Sequence, residues 1–374
     1  MAVTNFAALT SEQLTVWGRD LWRAARNVSF LNAFAGTGPN SMVQRITELK
    51  KTRKGARAVM TLVHDLEGDG VVGDNQLEGN EEAMKSSDIV VNIDQIRHAN
   101  RLEGQMADQR SVVEFRGNSK NVLQYWLADR LDQLGFLTLS GVDYSLRPNG
   151  STRIGSQFPQ LEFAGDVSAP TANRHYRWDG TNKKMVTANT GNIAAADLPS
   201  WKMLVQLKAL AVDSYIKPLR GETGVQGYNV FMSPDGIAAL KQDTDFMTVW
   251  KDAMQRGGTN PLFKGTKLGG TSGIYIDGLN ILEYRHVYNT KGAASGEKWG
   301  GSGTQDGQRV LLCGAQALGF ADIGTPRWVE KDFDYDNSPG ISAAKIVGFK
   351  KPVFPSIYSG TTEDFGVVCV DTAI

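Results

Sequence analysis

Apolar residues between Ser111 and Ser140 recur at steps of three and four: Val112, Phe115, Val122, Leu123, Trp126, Leu127, Leu131, Leu134 and Leu137. That spacing predicts one long helix with these side chains on a single stripe and Glu114, Lys120, Gln124 and Asp129 on the other side. Roughly 28 residues would reach ~40 Å, far beyond an average globular helix. Gly117 and Gly135 each cost about 1 kcal/mol against Ala, so the pattern allows a bend or an early end there. A helix of this length is a spine on which other elements can be laid.

The pattern before the spine is different. Thr10-Ser11-Glu12-Gln13 has the form of a capping box, and Leu14, Trp17, Leu21 and Trp22 follow at helical spacing to about Val28. Gly36-Thr37-Gly38-Pro39-Asn40 then breaks the chain, so this helix reads as an arm packed through Trp17 and Trp22. Ala58 to Leu66 and Ser87 to Ala99 read as strands, with Ile89, Val91 and Ile93 alternating. The gap between them, about 20 residues, is far longer than an ordinary hairpin loop. It begins beside the basic cluster Lys50–Arg57, and no Lys or Arg occurs from Ala58 to Met84. The excursion therefore has a basic base and an acidic tip carrying Asp65, Glu67, Asp69, Asp74, Glu78, Glu81 and Glu82. A two-stranded ribbon is marginal alone in water and needs a surface to lie on.

After the spine, Asp143 to Asp197 is loop-rich. Leu198–Leu219 is a second amphipathic helix, and Asn229–Met232 a buried strand. Ser233 and Pro234 cap and open a further helix, and another spans about Phe246–Gln255. Ile274–Leu282 is a hairpin on the turn Asp277-Gly278. Gly292–Gly307 reads as a mobile glycine-rich loop. Arg309–Cys313, Ala344–Phe349 and Phe365–Val370 are strands. The mixture of segregated helices and antiparallel strands is α+β.

Composition narrows the function classes. The 374 residues hold 41% hydrophobic positions, enough for a substantial core, and 40 basic residues balance 40 acidic ones, which does not mark a nucleic-acid binder. The 41 glycines exceed the usual ~7% share and are scattered, which favours many turns. Cys313 and Cys369 form no CxxC pair, arguing against a zinc site or a disulfide framework. The N-terminal segment shows no signal-peptide pattern and no window suits a membrane span, so a soluble protein made in a cytosol is expected.

Candidate chemistry is sparse. Asp65–Gln76 offers oxygens at positions one, three and five of a calcium loop and a glycine at six, but Gln76 replaces the bidentate Glu and strands flank it. His64, His98, His175 and His286 have no metal-ligand spacing, and Gly300-Gly301-Ser302-Gly303 lacks the last glycine of a nucleophile elbow. Gly258, Gly265 and Gly269 with Lys264 and Lys267 make no phosphate loop. Neither a catalytic constellation nor a cofactor motif is found, and the expectation is a protein that is not an enzyme.

The order of motifs carries more than any one of them. Gln76–Glu82, Ile93–Ala99, Trp126–Asp132, Phe231–Pro234, Leu312–Ala317, Gly348–Lys351 and Asp364–Thr372 occur in a sequence that resembles the major capsid protein of tailed bacteriophages. It is most similar to the branch in short-tailed phages of the N-four type. The resemblance implies the Hong Kong 97-like fold: an N-terminal arm at 1–57 and an extended loop at 58–99. A peripheral domain would follow at 100–220 and 322–374 around the spine, with an axial domain at 221–321. It implies copies that form hexamers and pentamers of an icosahedral virion shell around double-stranded DNA, bound without sequence specificity, and synthesis in a bacterial host cytoplasm. A near-zero net charge suits a container, because a strongly basic lining would hinder release of DNA. The implied partners are further copies, a portal and a decoration or cement protein. Since some relatives carry a fused scaffolding segment of ~100 residues and little precedes the extended loop here, a separate scaffolding protein is implied as well. The acidic tip would lie over a neighbouring peripheral domain, where Lys345, Lys350 and Lys351 would be available. Two other readings are an encapsulin-type cargo compartment of the same fold and a calcium-dependent surface or carbohydrate-binding protein.

Overall fold

The computed structural model describes residues 16–47, 57–106, 115–221, 226–255, 274–356 and 360–374, apart from 17, 18, 22, 26, 27, 64, 65, 67 and 85. In the arm, residues 19–21 and 23–25 are helical and bury Leu21 and Ala25. Two short strands follow, β1 (Ala35–Gly36) and β2 (Val43–Ile46). β3 (Arg57–Val63) and β4 (Ser86–Asn92) form the antiparallel ribbon, in register from Arg57↔Asn92 to Val63↔Ser86. β5 (Asp94–Arg101) comes directly after it. The single strand expected at 87–99 is thus two, because the chain leaves the ribbon at Ile93 and enters a different sheet.

The spine helix, α1, spans Phe115–Ser140, and residues 111–114 of the expected range lie outside the described residues. Its single stripe holds only at the N-terminal end, and even there Val122 is exposed. From Leu131 to Ser140 every residue is buried, as expected of a helix enclosed on all sides. Gly135 explains itself here: a Cβ at this position would lie 2.2 Å from Leu31 Cδ1, so the glycine marks where the arm crosses the spine. Asp132, one turn earlier, clamps the same crossing. It accepts from Ser29 Oγ at 2.6 Å, Phe30 N at 2.8 Å, Leu31 N at 3.2 Å and the Tyr284 hydroxyl at 2.7 Å. Burial pushes its carboxyl up despite these donors.

The remaining elements, in order, are β6 (His175–Asp179), β7 (Lys184–Thr187), α2 (Trp201–Asp213), β8 (Leu219–Arg220), β9 (Gln226–Met232), α3 (Pro234–Gln242) and α4 (Thr244–Gln255). They continue with β10 (Ile274–Ile276), β11 (Leu279–Glu283), β12 (Gly307–Cys313), β13 (Leu318–Phe333), β14 (Ser338–Lys350), β15 (Val353–Pro355), β16 (Thr362–Asp364) and β17 (Val367–Ala373). Local chemistry accounts for several boundaries. Ser200 and Ser233 each accept a backbone N–H in the first turn of α2 and α3, and Pro234 sits where its missing donor costs nothing. Asp277 at φ 47° and Gly278 at φ 80° make the tight turn between β10 and β11.

Two mixed sheets organise the body. One has the order β1-β2-β13-β14-β5 and packs on the spine through Phe320, Phe349 and Val347. The other runs β10-β11-β9-β12-β17-β6-β7, with β8 paired to β9. This second sheet joins strands from both sides of the boundaries drawn at 221 and 321: β12, inside them, pairs antiparallel with β17, outside them. The loop-rich segment 143–197 is therefore stitched into the body by β6 and β7, with Trp178 fully buried under α2. The glycine-rich run, expected to be mobile, is closed on itself. Gly296 N donates to Gly303 O at 2.9 Å, Trp299 and Gln305 exchange backbone bonds, and Trp299 is buried.

Candidate assembly surfaces

The ribbon has two parts with different surroundings. At its root, Ala58, Met60, Ile89 and Val91 form one apolar face by strand alternation, and that face is buried against Ile46, Ala321 and Phe365 of the same chain. The root needs no neighbour to cover it. Asp166 fastens it further, accepting from Asn92 N at 2.8 Å, Asn92 Nδ2 at 3.1 Å and Lys350 Nζ at 3.1 Å. Beyond the ribbon the described tip residues form no strand, and nearly all of them are exposed. Among its described residues Leu66, Val72, Leu77 and Met84 are each more than half exposed.

The tip is nevertheless folded locally. Gly70, Gly73 and Gly79 occupy left-handed backbone that only glycine adopts freely. Glu82 Oε2 accepts from Gly68 N and Glu81 Oε2 from Gly79 N, both at 2.7 Å. Asp69, Asp74, Glu78 and Glu81 take part in no ion pair among the described residues, while Asp65 and Glu67 lie outside them. No group of three or more His, Cys, Asp or Glu side chains suited to a metal ion occurs among the described residues.

The three lysines expected to receive this tip are otherwise engaged. Lys345 is buried and pairs with Asp322 at 2.5 Å, also reaching the Gly324 carbonyl. Lys351 is buried against Asp364 at 2.9 Å, with neither side chain in contact with solvent. Lys350 donates to Val90 O at 2.8 Å and pairs with Asp166. Alternation along β14 hides this from sequence, since an ammonium on an inward position is indistinguishable from one facing water until its carboxylate is located.

Arginines collect elsewhere, in a cleft of about 580 Å³ between the middle of α1, the loop at 147–158 and the residues after β11. Arg130, Arg147, Arg153, Arg285 and His286 line it, with Asp129 as the one carboxylate among the lining residues. Asp129 receives Arg130 at 2.9 Å, Arg285 at 2.7 Å and His286 at 2.8 Å. Burial pushes its carboxyl up, but the His286 hydrogen bond and the charges of His286, Arg130 and Arg285 outweigh that and hold it at about 2. Arg153 donates to Leu146 O and Gln133 Oε1 and lies over the Phe158 ring. Burial, with Arg130 and Arg147 adding repulsion, brings its guanidinium down to about 10. Arg147 is exposed and makes no ion pair among the described residues. Sequence reasoning missed this cleft because its arginines come from three separate segments.

Comparison with known proteins fixes what these surfaces belong to. The family model for phage capsid proteins matches residues 5–374. The chain belongs to the phage capsid protein family. This capsid protein is 59% identical over 372 residues to the major capsid protein of Pseudomonas phage KPP25, covering 99% of this chain and 97% of that one. Its fold is similar to the capsid of Ralstonia phage GP4, with a TM-score of 0.72, 27% identity and coverage of 92% and 91% of the two chains. The capsid of cyanophage Pam1 shares the fold at a TM-score of 0.66 and 19% identity, over 99% of both chains. The α+β Hong Kong 97-like architecture expected from motif order is the architecture found, and the virion capsid is the protein's place. The encapsulin and calcium-dependent readings give way to the family match. No helix among the described residues is long and apolar enough to cross a membrane.

Other expected site residues divide. Trp17 and Trp22 of the capsid protein's arm lie outside the described residues, as does His64. The described part of the arm does pack on its own body: Phe30 stacks on Tyr284 with centroids 4.0 Å apart, and Phe34 meets Phe231 edge-on at 5.4 Å. His98 stacks on Trp126 at 4.7 Å, on the strand surface, and His175 bonds Asp371.

Proposed function

We propose that this capsid protein is the major shell subunit of its phage, assembling as hexamers and pentamers into an icosahedral head around double-stranded DNA. The observation that carries the reading is near-full-length identity to a major capsid protein. The geometry supports it independently. A ribbon rooted firmly in its own body but ending in an uncovered apolar and acidic tip is built to meet another copy. In this reading residues 58–99 are the extended loop, α1 is the spine of a peripheral domain, and the second sheet with α2–α4 forms the axial body near the symmetry axes. A scaffolding protein, a portal and a decoration protein complete the assembly, and no catalytic step belongs to the subunit.

Electron microscopy of the purified protein, expressed alone and with the neighbouring phage genes, tests this. Closed shells of uniform diameter are expected. Only monomers or small oligomers under both conditions would refute it.

A further inference from the structure

We propose that the arginine cleft beside α1 binds a short phosphate chain, of the kind carried by inorganic triphosphate or a nucleoside triphosphate. The site is complete within one chain, so the proposal stands apart from the shell reading above.

Three observations carry it. The first is charge that the lining does not balance. Four arginines face one carboxylate, an excess of three positive charges with His286 neutral. That carboxylate is saturated. Asp129 Oδ2 accepts from Arg130 Nη1 at 2.9 Å and Gln133 Nε2 at 2.8 Å. Its Oδ1 meets Arg285 Nη2 at 2.7 Å and His286 Nε2 at 2.8 Å. Arg147 takes part in no ion pair among the described residues, and the Arg285 side chain is 71% exposed.

The second observation is that the cations are held in place. Arg153 donates from Nε to Leu146 O at 3.0 Å and from Nη2 to Gln133 Oε1 at 2.7 Å, and lies over the Phe158 ring. Gln133 thereby ties Arg153 to Asp129, so side chains from separate segments are fixed before a ligand arrives. Such preorganisation lowers the ordering cost of binding. Burial first, then repulsion from Arg130 and Arg147, brings the Arg153 guanidinium down to about 10. An anion placed among these groups relieves that repulsion.

The third is size and donor type. A cleft of about 580 Å³ falls within the ~300–1,000 Å³ of small-molecule sites. Its cations are distributed over three segments, which suits an anion whose charge is spread along a chain rather than gathered on one group. No lysine lines it. Guanidinium forks match phosphate oxygens in pairs, where an ammonium acts as a point charge.

Calorimetric titration of the unassembled full chain at about 0.15 M salt tests this, with sodium triphosphate, ATP and inorganic phosphate as separate ligands. Saturable binding of one triphosphate or one ATP per chain is expected, with phosphate weaker by roughly tenfold or more. Equal affinities for triphosphate and ATP assign the site to the phosphate chain alone, and tighter ATP adds the nucleoside to the recognised ligand. Arg147→Ala with Arg285→Ala should weaken triphosphate roughly tenfold or more, and the paired substitutions to Lys should recover part of that loss. Lys184→Ala with Lys241→Ala removes the same charge from two exposed lysines that do not line the cleft. That control should leave binding within about twofold. Arg147→Ala alone breaks no ion pair among the described residues, so it serves if circular dichroism shows the double variant unfolded. Absence of saturable triphosphate and ATP binding, or binding that persists in folded cleft variants, would overturn the proposal. Phosphate bound as tightly as triphosphate would overturn it too, as would binding confined to duplex DNA offered as a fourth ligand.

Discussion

Arg309 reaches the last residue of the spine: its Nη1 donates to the carbonyl of Ser140 at 2.7 Å. The same guanidinium holds Asp371 through two bonds, at 2.7 and 3.2 Å, with both groups buried. One side chain thus fills an orphan carbonyl at a helix end and neutralises a carboxylate in the second sheet. Burial pushes the Asp371 carboxyl up, but Arg309 and His175 outweigh it and hold it below the usual carboxylate range. Arg309→Ala should destabilise the free subunit by about 3–5 kcal/mol, because Asp371 is left with His175 alone. Arg309→Lys keeps the charge and loses the fork, and should cost about 1–3 kcal/mol. Urea unfolding of unassembled subunits decides it, and wild-type stability in the Ala variant would contradict the assignment.

Asp166→Ala should loosen the ribbon root without unfolding the body. It removes two bonds to Asn92 and the partner of Lys350, a loss of about 2–3 kcal/mol for charge-assisted contacts. Hydrogen exchange should rise across β3 and β4 while β12 and β17 keep their protection. Uniform loss of protection would show a wider role. For the same reason Lys350→Glu disturbs the root of its own ribbon and cannot report on a neighbour.

Removing residues 68–84 should leave the free subunit's stability within about 0.5 kcal/mol, since nearly all of these residues are exposed. Particles should be absent in micrographs of that deletion. Normal shells would show that the tip is dispensable.

Acid should weaken the cleft. The folded pKa of Asp129, about 2, lies below the ordinary carboxylate value near 4, so its ion set contributes stability that is complete above about pH 4 and lost as pH falls towards 2. Asp132 acts in the opposite sense: burial raises its pKa, so its contribution declines as pH climbs through the ordinary carboxylate range. Unfolding of Asp129→Asn between pH about 2 and 5 should show a shallower acid decline than the wild type. Parallel curves would mean that Asp129 is not the titrating group.

Periodicity made α1, the capped start of α3 and the Asp277-Gly278 turn legible, because each depends on residues close in sequence. β13 was not legible. Gly324 and Pro326 read as strand breakers, and only the register shift between Ile323 and Arg327 shows that a bulge absorbs them. The acidic tip could be read as a run of like charge. The arginine cleft could not, because Arg130, Arg147 and Arg285 converge only after folding, and Lys345 and Lys351 turn inward to carboxylates that sequence does not point to.

β17 stands between β12 and β6, and His175 meets Asp371 across 196 residues of sequence. On a ribosome adding ~5–20 residues per second, the sheet stays divided for roughly 10–40 s after β6 has emerged. The apolar faces of β9, and later of β12, wait for β17 for part of that interval as a half-built layer, open to chaperones and to mispairing. A nascent chain therefore cannot present a finished body to its neighbours until its last strand has been made.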